Sequence, residues 1–228
     1  MIEESLHNIQ QRMADAMASV GRTDTALLVA VTKNHPVSAV EEVAQLGCTH
    51  VGENRVQEAK EKQMLYKGPK LVWHLIGHLQ VNKVRQAVPM FDLIHSVDSK
   101  KLLDEIEKVA AKHDKVQDIL LQVNVAREAS KSGMSVEEFP EVRDYAKTLP
   151  HVRVRGLMCM APFFENPEEA RPIFRVAYVL YEDMKGYFPD GDIQYLSMGM
   201  THDFEVALQE GANIVRVGTA IFGERVYN

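Results

Sequence analysis

The segment ALLVAVTKNHP (residues 26–36) bears on the choice between two fold classes. In it, six apolar residues run directly into Thr32 and Lys33. A short apolar run of this kind predicts a buried strand. A cation at its end costs desolvation free energy unless it is solvated, paired or chemically used. The turn that follows has no G-x-G-x-x-G pattern, which disfavours a doubly wound sheet that binds a dinucleotide.

Segments like this first strand recur along the chain and alternate with longer segments of helical spacing. Eight strands alternating with helices predict a parallel sheet, and eight in a chain of this length predict an α/β fold of the (β/α)8 TIM-barrel type. A doubly wound open sheet is the alternative. The predicted strands cover residues 26–32, 50–52, 71–76, 93–97, 118–125, 152–160, 193–198 and 213–218. The predicted helices lie near residues 37–46, 53–65, 80–88, 99–113, 135–148, 167–187 and 202–210.

The amino-terminal segment is amphipathic and predicts one extra helix before the barrel. Two capping boxes, Ser38 with Glu41 and Ser135 with Glu138, predict the starts of two later helices. No internal repeat, low-complexity segment or interdomain linker is visible. We therefore expect residues 1–228 to form one domain.

Composition excludes several classes of function. The chain has 228 residues, of which 46% are hydrophobic and 25% charged, as in an ordinary globular protein. A net charge of -6 gives no reason to expect a nucleic-acid partner. Cys48 and Cys159 make no disulfide framework, the amino terminus lacks the features of a signal peptide, and no apolar run approaches the roughly 20 residues of a membrane span. We expect a cytoplasmic protein that contacts neither membrane nor nucleic acid.

Polar residues cluster where the predicted strands end, which is where the functional groups of such barrels lie. Each also has a structural interpretation when taken alone. Lys33 could extend along the surface with its charge in water, Asn54 could cap a helix, and His74 could be a hydrogen-bonded core histidine. No carboxylate or cysteine stands at ligand spacing from a histidine, so we expect no metal site. The polar residues at the predicted strand ends are Lys33, Glu53, Asn54, His74, His78, Ser96, Asp98, Asn124, Ser197, Arg216 and Thr219.

The loops after the seventh and eighth strands predict a phosphate site, which barrels of this type often build there. These loops read LSMGMTHDF (196–204) and VRVGTAIFG (215–223), and each places a hydroxyl near a glycine. Glycine lets the backbone approach an anion closely, and a helix start adds partial positive charge. A phosphorylated ligand facing Lys33 suggests a carbonyl held as a Schiff base. A barrel enzyme acting on another phosphorylated metabolite is the alternative.

The chain resembles the YggS/PROSC family of pyridoxal phosphate (PLP) homeostasis proteins nearly from end to end. That family is similar to the barrel domain of bacterial alanine racemase without its carboxyl-terminal β-domain. The motifs that carry the resemblance are AVTKNHP (30–36), GENRVQE (52–58), WHLIGHLQVNK (73–83), KSG (131–133), LMCMAP (157–162) and LSMGMTHDFEVALQEGANIVRVGTAIFG (196–223).

The resemblance implies a role for each matching residue. Lys33 would hold the cofactor aldehyde as a Schiff base, and Arg216 would face the pyridine nitrogen. Asn54 and His78 would lie in the cofactor pocket. The matching phosphate-binding positions are Ser197, Gly218 and Thr219, with Gly199 and Met200 as backbone donors.

The resemblance also implies a function, which is binding and carriage of PLP inside the cell with little or no turnover. Apo-enzymes that use PLP are the implied partners, and the chain would be a monomer or a weak dimer. The alternative is a weak PLP-dependent amino-acid racemase or lyase. Two-base racemisation needs a second acid/base group opposite Lys33, which alanine racemase takes from its β-domain, and we assign no such role to Tyr227.

Overall fold

Eight parallel strands close into a barrel in which β1 pairs with both β2 and β8. The computed structural model describes residues 1–129 and 132–223. The predicted (β/α)8 TIM barrel is confirmed and the open sheet is wrong, because Leu27 of β1 lies opposite Ile214 of β8. The strands are β1 (Leu27–Val31), β2 (His50–Glu53), β3 (Val72–Leu75), β4 (Leu93–Val97), β5 (Gln117–Gln122), β6 (Val152–Met158), β7 (Tyr195–Ser197) and β8 (Ile214–Val217).

Helices follow the strands and pack around the barrel. Two predicted helices begin with a 3₁₀ turn, at Val81–Lys83 and Pro167–Ala170. A short helix after β8 was not predicted. The α-helices are α1 (Ile2–Ala18), α2 (Val37–Gln45), α3 (Val56–Leu65), α4 (Val84–Ala87), α5 (Lys100–Lys112), α6 (Phe139–Ala146), α7 (Arg171–Met184), α8 (Phe204–Gln209) and α9 (Thr219–Phe222). Within the described ranges, every helix is too short or too polar to cross a membrane.

The predicted extra helix is α1, which packs against α8 and α9 on the outside of the barrel. Its apolar residues recur every three or four positions and bury one stripe against its neighbours. Arg12 binds both carboxylate oxygens of Glu205 at 3.0 Å and lies over the ring of Phe204. Helix α1 therefore supports the segment that follows β7.

One predicted capping box forms and the other does not. Ser135 and Glu138 exchange side-chain and backbone hydrogen bonds in the turn before α6. The predicted box at Ser38 is wrong, because α2 begins at Val37 with Pro36 as its N-cap residue. Proline has a fixed φ and therefore starts the helix earlier than the serine would.

The apolar core has two layers, one inside the barrel and one between the strands and the helices. The inner layer is small and contains Val29, Leu93, Leu120, Met158 and Ile214. The outer layer is continuous around the barrel and includes the buried faces of the helices. Because the inner layer contains few apolar side chains, polar side chains occupy much of the remaining barrel interior.

Strand β6 carries a bulge that depends on one glycine. Its pairing with β5 shifts register between Ile119 and Leu120, and Gly156 there has a φ of +150°. A Cβ on Gly156 would lie 1.7 Å from the carbonyl oxygen of Tyr195 on β7. The β6–β7 ladder therefore needs glycine at this position.

We expect Gly156→Ala to destabilise the barrel by at least about 3 kcal/mol, because backbone rather than a mobile side chain must move. The measurement is urea denaturation at neutral pH. The matched control is Gly191→Ala, which also has a positive φ but no atom within 4 Å of the added Cβ. Its expected cost is about 1 kcal/mol from backbone conformation alone. Equal costs for the two variants would contradict the proposed clash.

Candidate functional site

A cavity of about 540 Å³ opens at the carboxyl ends of the strands. This is the end at which barrels of this type carry their functional groups. Among the described residues, its lining includes amine, guanidinium, imidazole and hydroxyl groups but no carboxylate. The lining residues are Val31, Lys33, His35, Asn54, Ile76, Gly77, His78, Gln122, Ser132, Met160, Met200, Thr201, His202, Arg216, Gly218 and Thr219.

Lys33 lies in this cavity directly after β1, as predicted. The backbone on either side of it is held in place. Thr32 N–H donates to the carbonyl of Gly52 at 3.0 Å, and Asn34 has a φ of +63°. The N–H of Asn34 donates to Glu58 at 2.5 Å. Lys33 is therefore carried on a short segment that is tied to β2 and α3.

A buried ion pair beneath this segment explains its fixed position. Lys62 of α3 donates to the carbonyl oxygen of Thr32 at 2.6 Å, to Glu53 at 2.6 Å and to Glu58 at 2.8 Å. Thr32 also donates its hydroxyl to Glu53. Burial raises the pKa of Glu53, while its hydrogen bonds to Lys62 and Thr32 lower it. The ion pair thus joins β1, β2 and α3 just below Lys33.

Two threonines place hydroxyls at the cavity from the loops after β7 and β8. Thr201 and Thr219 both line the cavity, next to Gly218. The N–H of Ala220 lies 3.5 Å from the Thr201 hydroxyl, so the loops after β7 and β8 meet there. A Cβ on Gly218 would lie 3.2 Å from Val31, so this loop packs closely against the end of β1.

Ser197 requires a correction, because the structure does not place it at the cavity. It is the last residue of β7 and is fully buried inside the barrel. Its hydroxyl is hydrogen-bonded to His95 at 2.9 Å and to Arg216 at 2.5 Å. The hydroxyl of this segment that does line the cavity is that of Thr201, four residues later.

The two predicted backbone donors also require correction. Gly199 does not line the cavity, and its φ of +97° and the close approach of Ala207 give it a packing role. Met200 lines the cavity with its side chain, but its N–H donates to the carboxylate of Asp203 at 2.7 Å. A ligand could use this N–H only by displacing Asp203.

Arg216 lies on β8 at the inner end of the cavity and is only 3% exposed. It donates to Ser197 and to the carbonyl oxygen of Cys159, at 2.5 and 3.2 Å. Burial lowers the pKa of Arg216 to about 10, against the favourable charge of Asp203. The guanidinium remains protonated at neutral pH and presents a positive charge to the cavity.

A chain of hydrogen-bonded side chains continues from Arg216 through the barrel interior. Ser197 contacts His95 Nδ1, His95 Nε2 lies 2.8 Å from His74 Nδ1, and His74 Nε2 lies 2.9 Å from His50 Nδ1. Burial lowers the pKa of His74 to about 3 and that of His95 well below its usual value. The expected core role of His74 is confirmed. We call His50, His74, His95 and Ser197 the histidine column.

The remaining predicted site residues, Asn54 and His78, both line the cavity. His78 Nδ1 lies 3.3 Å from the hydroxyl of Ser132. Lys131 of the KSG motif and Tyr227 lie outside the described residues. Sequence reasoning missed Gln122 and His202 as well as Thr201. Gln122 is the last residue of β5, but it falls inside the predicted strand 118–125, so no signal at a predicted strand end marked it.

Comparison with known proteins agrees with this fold and site. The chain matches the family described as alanine racemase, N-terminal domain, over residues 5–226. It is 44% identical over 225 residues to the pyridoxal phosphate homeostasis protein of Aquifex aeolicus, covering 98% of each chain. It is 34% identical to that of Escherichia coli K12, covering 100% of this chain and 98% of the relative.

Solved structures of other proteins share this fold. PipY of Synechococcus elongatus PCC7942, with PLP bound, matches with a TM-score of 0.82 and 36% identity, covering 98% of this chain and 100% of that one. Alanine racemase from Bartonella henselae shares the fold at 13% identity, with a TM-score of 0.73, and this chain spans 58% of it.

The closed barrel, with a lysine after β1 and an arginine on β8 in one cavity, defines an alanine-racemase-type barrel. The chain belongs to the family of pyridoxal phosphate homeostasis proteins within that class. The predicted resemblance to the YggS/PROSC family is therefore confirmed.

We expect Lys62→Met to lower the free energy of unfolding by about 3 kcal/mol, because it leaves the carboxylate of Glu53 buried without its cation. Urea denaturation at pH 7 measures this. The matched control is Lys60→Met on the exposed face of the same helix, which should change stability by less than about 0.5 kcal/mol. A small effect at Lys62 would show that the ion pair does not hold the Lys33 segment.

We expect stability to depend on His74 between pH 7 and pH 5. Its pKa is about 3 when folded, below the ordinary value of 6.5, so the unfolded chain takes up the proton first. The contribution of neutral His74 to the free energy of unfolding is fully present above pH 6.5. About 2 kcal/mol of this contribution is lost when the pH falls to 5.

The measurement compares wild type with His74→Gln at both pH values by urea denaturation. The comparison is needed because burial also raises the pKa of Glu53 and Asp203. These two groups raise the free energy of unfolding as the pH falls, which opposes the effect of His74. The stability difference between the two proteins should shrink by about 2 kcal/mol on going to pH 5. Parallel pH profiles would contradict the buried, neutral state of His74.

Proposed function

We propose that this chain binds PLP in the cavity, holds it as a Schiff base on Lys33, and serves PLP homeostasis or carriage with little or no turnover. The observation that carries the proposal is that Lys33 and Arg216 line one cavity at the ends of neighbouring strands. The full-length likeness to curated PLP homeostasis proteins supports it. The PLP-bound PipY structure supports the choice of ligand.

The residues present fit PLP by charge and by chemical type. The cofactor carries a phosphate, an aldehyde and a ring nitrogen that accepts hydrogen bonds. The lining offers two threonine hydroxyls beside Gly218, the amine of Lys33 and the guanidinium of Arg216. Because no described lining residue is a carboxylate, the cavity favours an anion.

When bound, PLP supplies an aldehyde that condenses with amines and a ring that withdraws electrons. Lys33 supplies the amine, and the segment tied down by Lys62 keeps it at the cavity. Thr201 and Thr219 would bind the phosphate oxygens. Arg216 has only N–H donors, so a ring nitrogen facing it would stay an acceptor without a proton. That arrangement weakens electron withdrawal by the ring and suits storage of the aldehyde better than carbanion chemistry.

The rate of turnover depends on which acid/base groups the cavity offers opposite Lys33. Racemisation needs a second base that faces the substrate carbon from the side opposite Lys33. No tyrosine, aspartate or glutamate lines the cavity within the described ranges, whereas His35, His78 and His202 do. Of these, the His202 Nε2–H donates to the carbonyl oxygen of Phe164 at 2.7 Å, so this nitrogen is engaged.

The test is to add PLP to the purified protein, reduce any imine with borohydride and map the modified peptide by mass spectrometry. We expect one pyridoxyl group on Lys33 and none in Lys33→Ala. The matched control is Lys83→Ala, which removes an exposed lysine that does not line the cavity and should leave the adduct unchanged.

Two results would contradict the proposal. No adduct, or adducts scattered over exposed lysines, would reject PLP attachment at Lys33 and favour another phosphorylated ligand. Turnover of D- or L-amino acids by the loaded protein, abolished in Lys33→Ala, would keep the cofactor but replace carriage by a weak racemase or lyase.

A further inference from the structure

The histidine column crosses the barrel interior in regular steps. His50 begins β2 and lies opposite Val72 of β3, and His74 stands two residues further along β3. His74 in turn lies opposite Leu93 of β4, and His95 stands two residues further along β4. Steps of two residues keep each side chain on the inner face of its strand. The column therefore rises from the amino-terminal end of the barrel to the cavity end, where it meets Arg216.

The direction of the hydrogen bonds follows from the group at the cavity end. A guanidinium only donates, so Arg216 donates to the oxygen of Ser197. The Ser197 hydroxyl then has its hydrogen available for His95 Nδ1, its other partner at 2.9 Å. A neutral imidazole that accepts at Nδ1 carries its hydrogen on Nε2. His95 therefore donates to His74, and His74 donates to His50, by the same reasoning.

The opposite direction leaves a group unsatisfied. If His50 donated to His74 and His74 to His95, then His95 would donate to Ser197. The serine oxygen would accept from both His95 and Arg216, and its own hydrogen would have no acceptor among its two partners. An unpaired buried donor costs about 1–3 kcal/mol. The arrangement that starts with donation from Arg216 satisfies every polar atom between Arg216 and His50.

This direction also has an electrostatic consequence. Arg216 is hydrogen-bonded to Ser197 and a carbonyl oxygen rather than to a carboxylate. In the arrangement above, the unprotonated Nδ1 atoms of all three imidazoles point toward the guanidinium. Aligned neutral dipoles with their negative ends toward a buried cation stabilise it without adding a counter-charge. The charge of Arg216 thus stays available to a ligand in the cavity.

We propose that His95, acting through Ser197, is a positioning residue for Arg216, and that His50, His74 and His95 form one polarised column with their hydrogens on Nε2. The column aligns the guanidinium toward the cavity and stabilises its charge. The effect of His95 on PLP binding rests on the proposed function. The positions of the imidazole hydrogens are a property of the protein without cofactor.

The first test uses long-range ¹H–¹⁵N NMR of the imidazoles in the cofactor-free protein at pH 7. The nine histidines are labelled and the relevant signals assigned by single variants. His74 and His95 should show hydrogen on Nε2 and a bare Nδ1. His151 serves as the internal contrast, because its Nδ1 lies 2.7 Å from a carboxylate oxygen of Glu107 and must donate there. Hydrogen on Nδ1 of His74 or His95 would overturn the polarised column.

The second test separates positioning from packing with two substitutions at one site. His95→Asn keeps an acceptor for the Ser197 hydroxyl, whereas His95→Leu removes it. The matched control is His113→Leu, an exposed residue at the end of α5. We expect His95→Leu to weaken PLP binding about 10-fold or more and to shift the absorption maximum of the bound chromophore, because it loosens a hydrogen bond to a charged group. His95→Asn should stay within about 3-fold of wild type, and circular dichroism checks that each variant folds.

The outcomes separate this proposal from the proposed function. Equal losses in His95→Leu and His95→Asn, or no loss in either, would overturn the positioning role. If wild type itself binds no PLP, the proposed function fails, and the NMR of the cofactor-free protein still decides whether the column is polarised.

Discussion

The pairing of β1 with β8 is the constraint on which the rest of the structure depends. It places Val29 opposite Arg216 and Ala30 opposite Val217. The segments that continue from these two strands carry Lys33 on one side and Gly218 with Thr219 on the other. In an open sheet without this pairing, the lysine and the last glycine loop would end on strands that need not be neighbours. Closure therefore brings an amine and a glycine–threonine loop together from opposite ends of the chain.

Two buried cations, one between the strands and a helix and one inside the barrel, are stabilised in different ways. Lys62 is buried against the carboxylates of Glu53 and Glu58, so its charge is neutralised locally and serves to fix the Lys33 segment. Arg216 instead has Ser197 and a carbonyl oxygen as partners. A carboxylate hydrogen-bonded to it would have satisfied the charge but reduced the attraction of the cavity for an anion.

The error at Ser197 shows where sequence reasoning about the site failed. Ser197 and Thr201 both belong to the segment LSMGMTHDF (196–204), and both have a hydroxyl near Gly199. The predicted strand 193–198 already included Ser197, and β7 does end at that residue. That residue therefore stays inside the barrel, while Thr201 comes after the turn and reaches the cavity. The sequence did not show that the last residue of this strand points into the barrel interior, where other buried side chains bind its hydroxyl.

The sequence by itself determined the alternation of eight strands with helices, the position of Lys33 after the first strand and the glycine–hydroxyl loops after the last two. These features are local, because hydrophobic periodicity, turn residues and motifs are written in neighbouring positions. Only the tertiary structure decided that His74 meets His95, that Ser197 belongs to the column and that Lys62 pairs with Glu53. His95 and Ser197 are 102 residues apart in the chain. Their contact exists because strand register and barrel closure set which inward-facing side chains share one level of the interior.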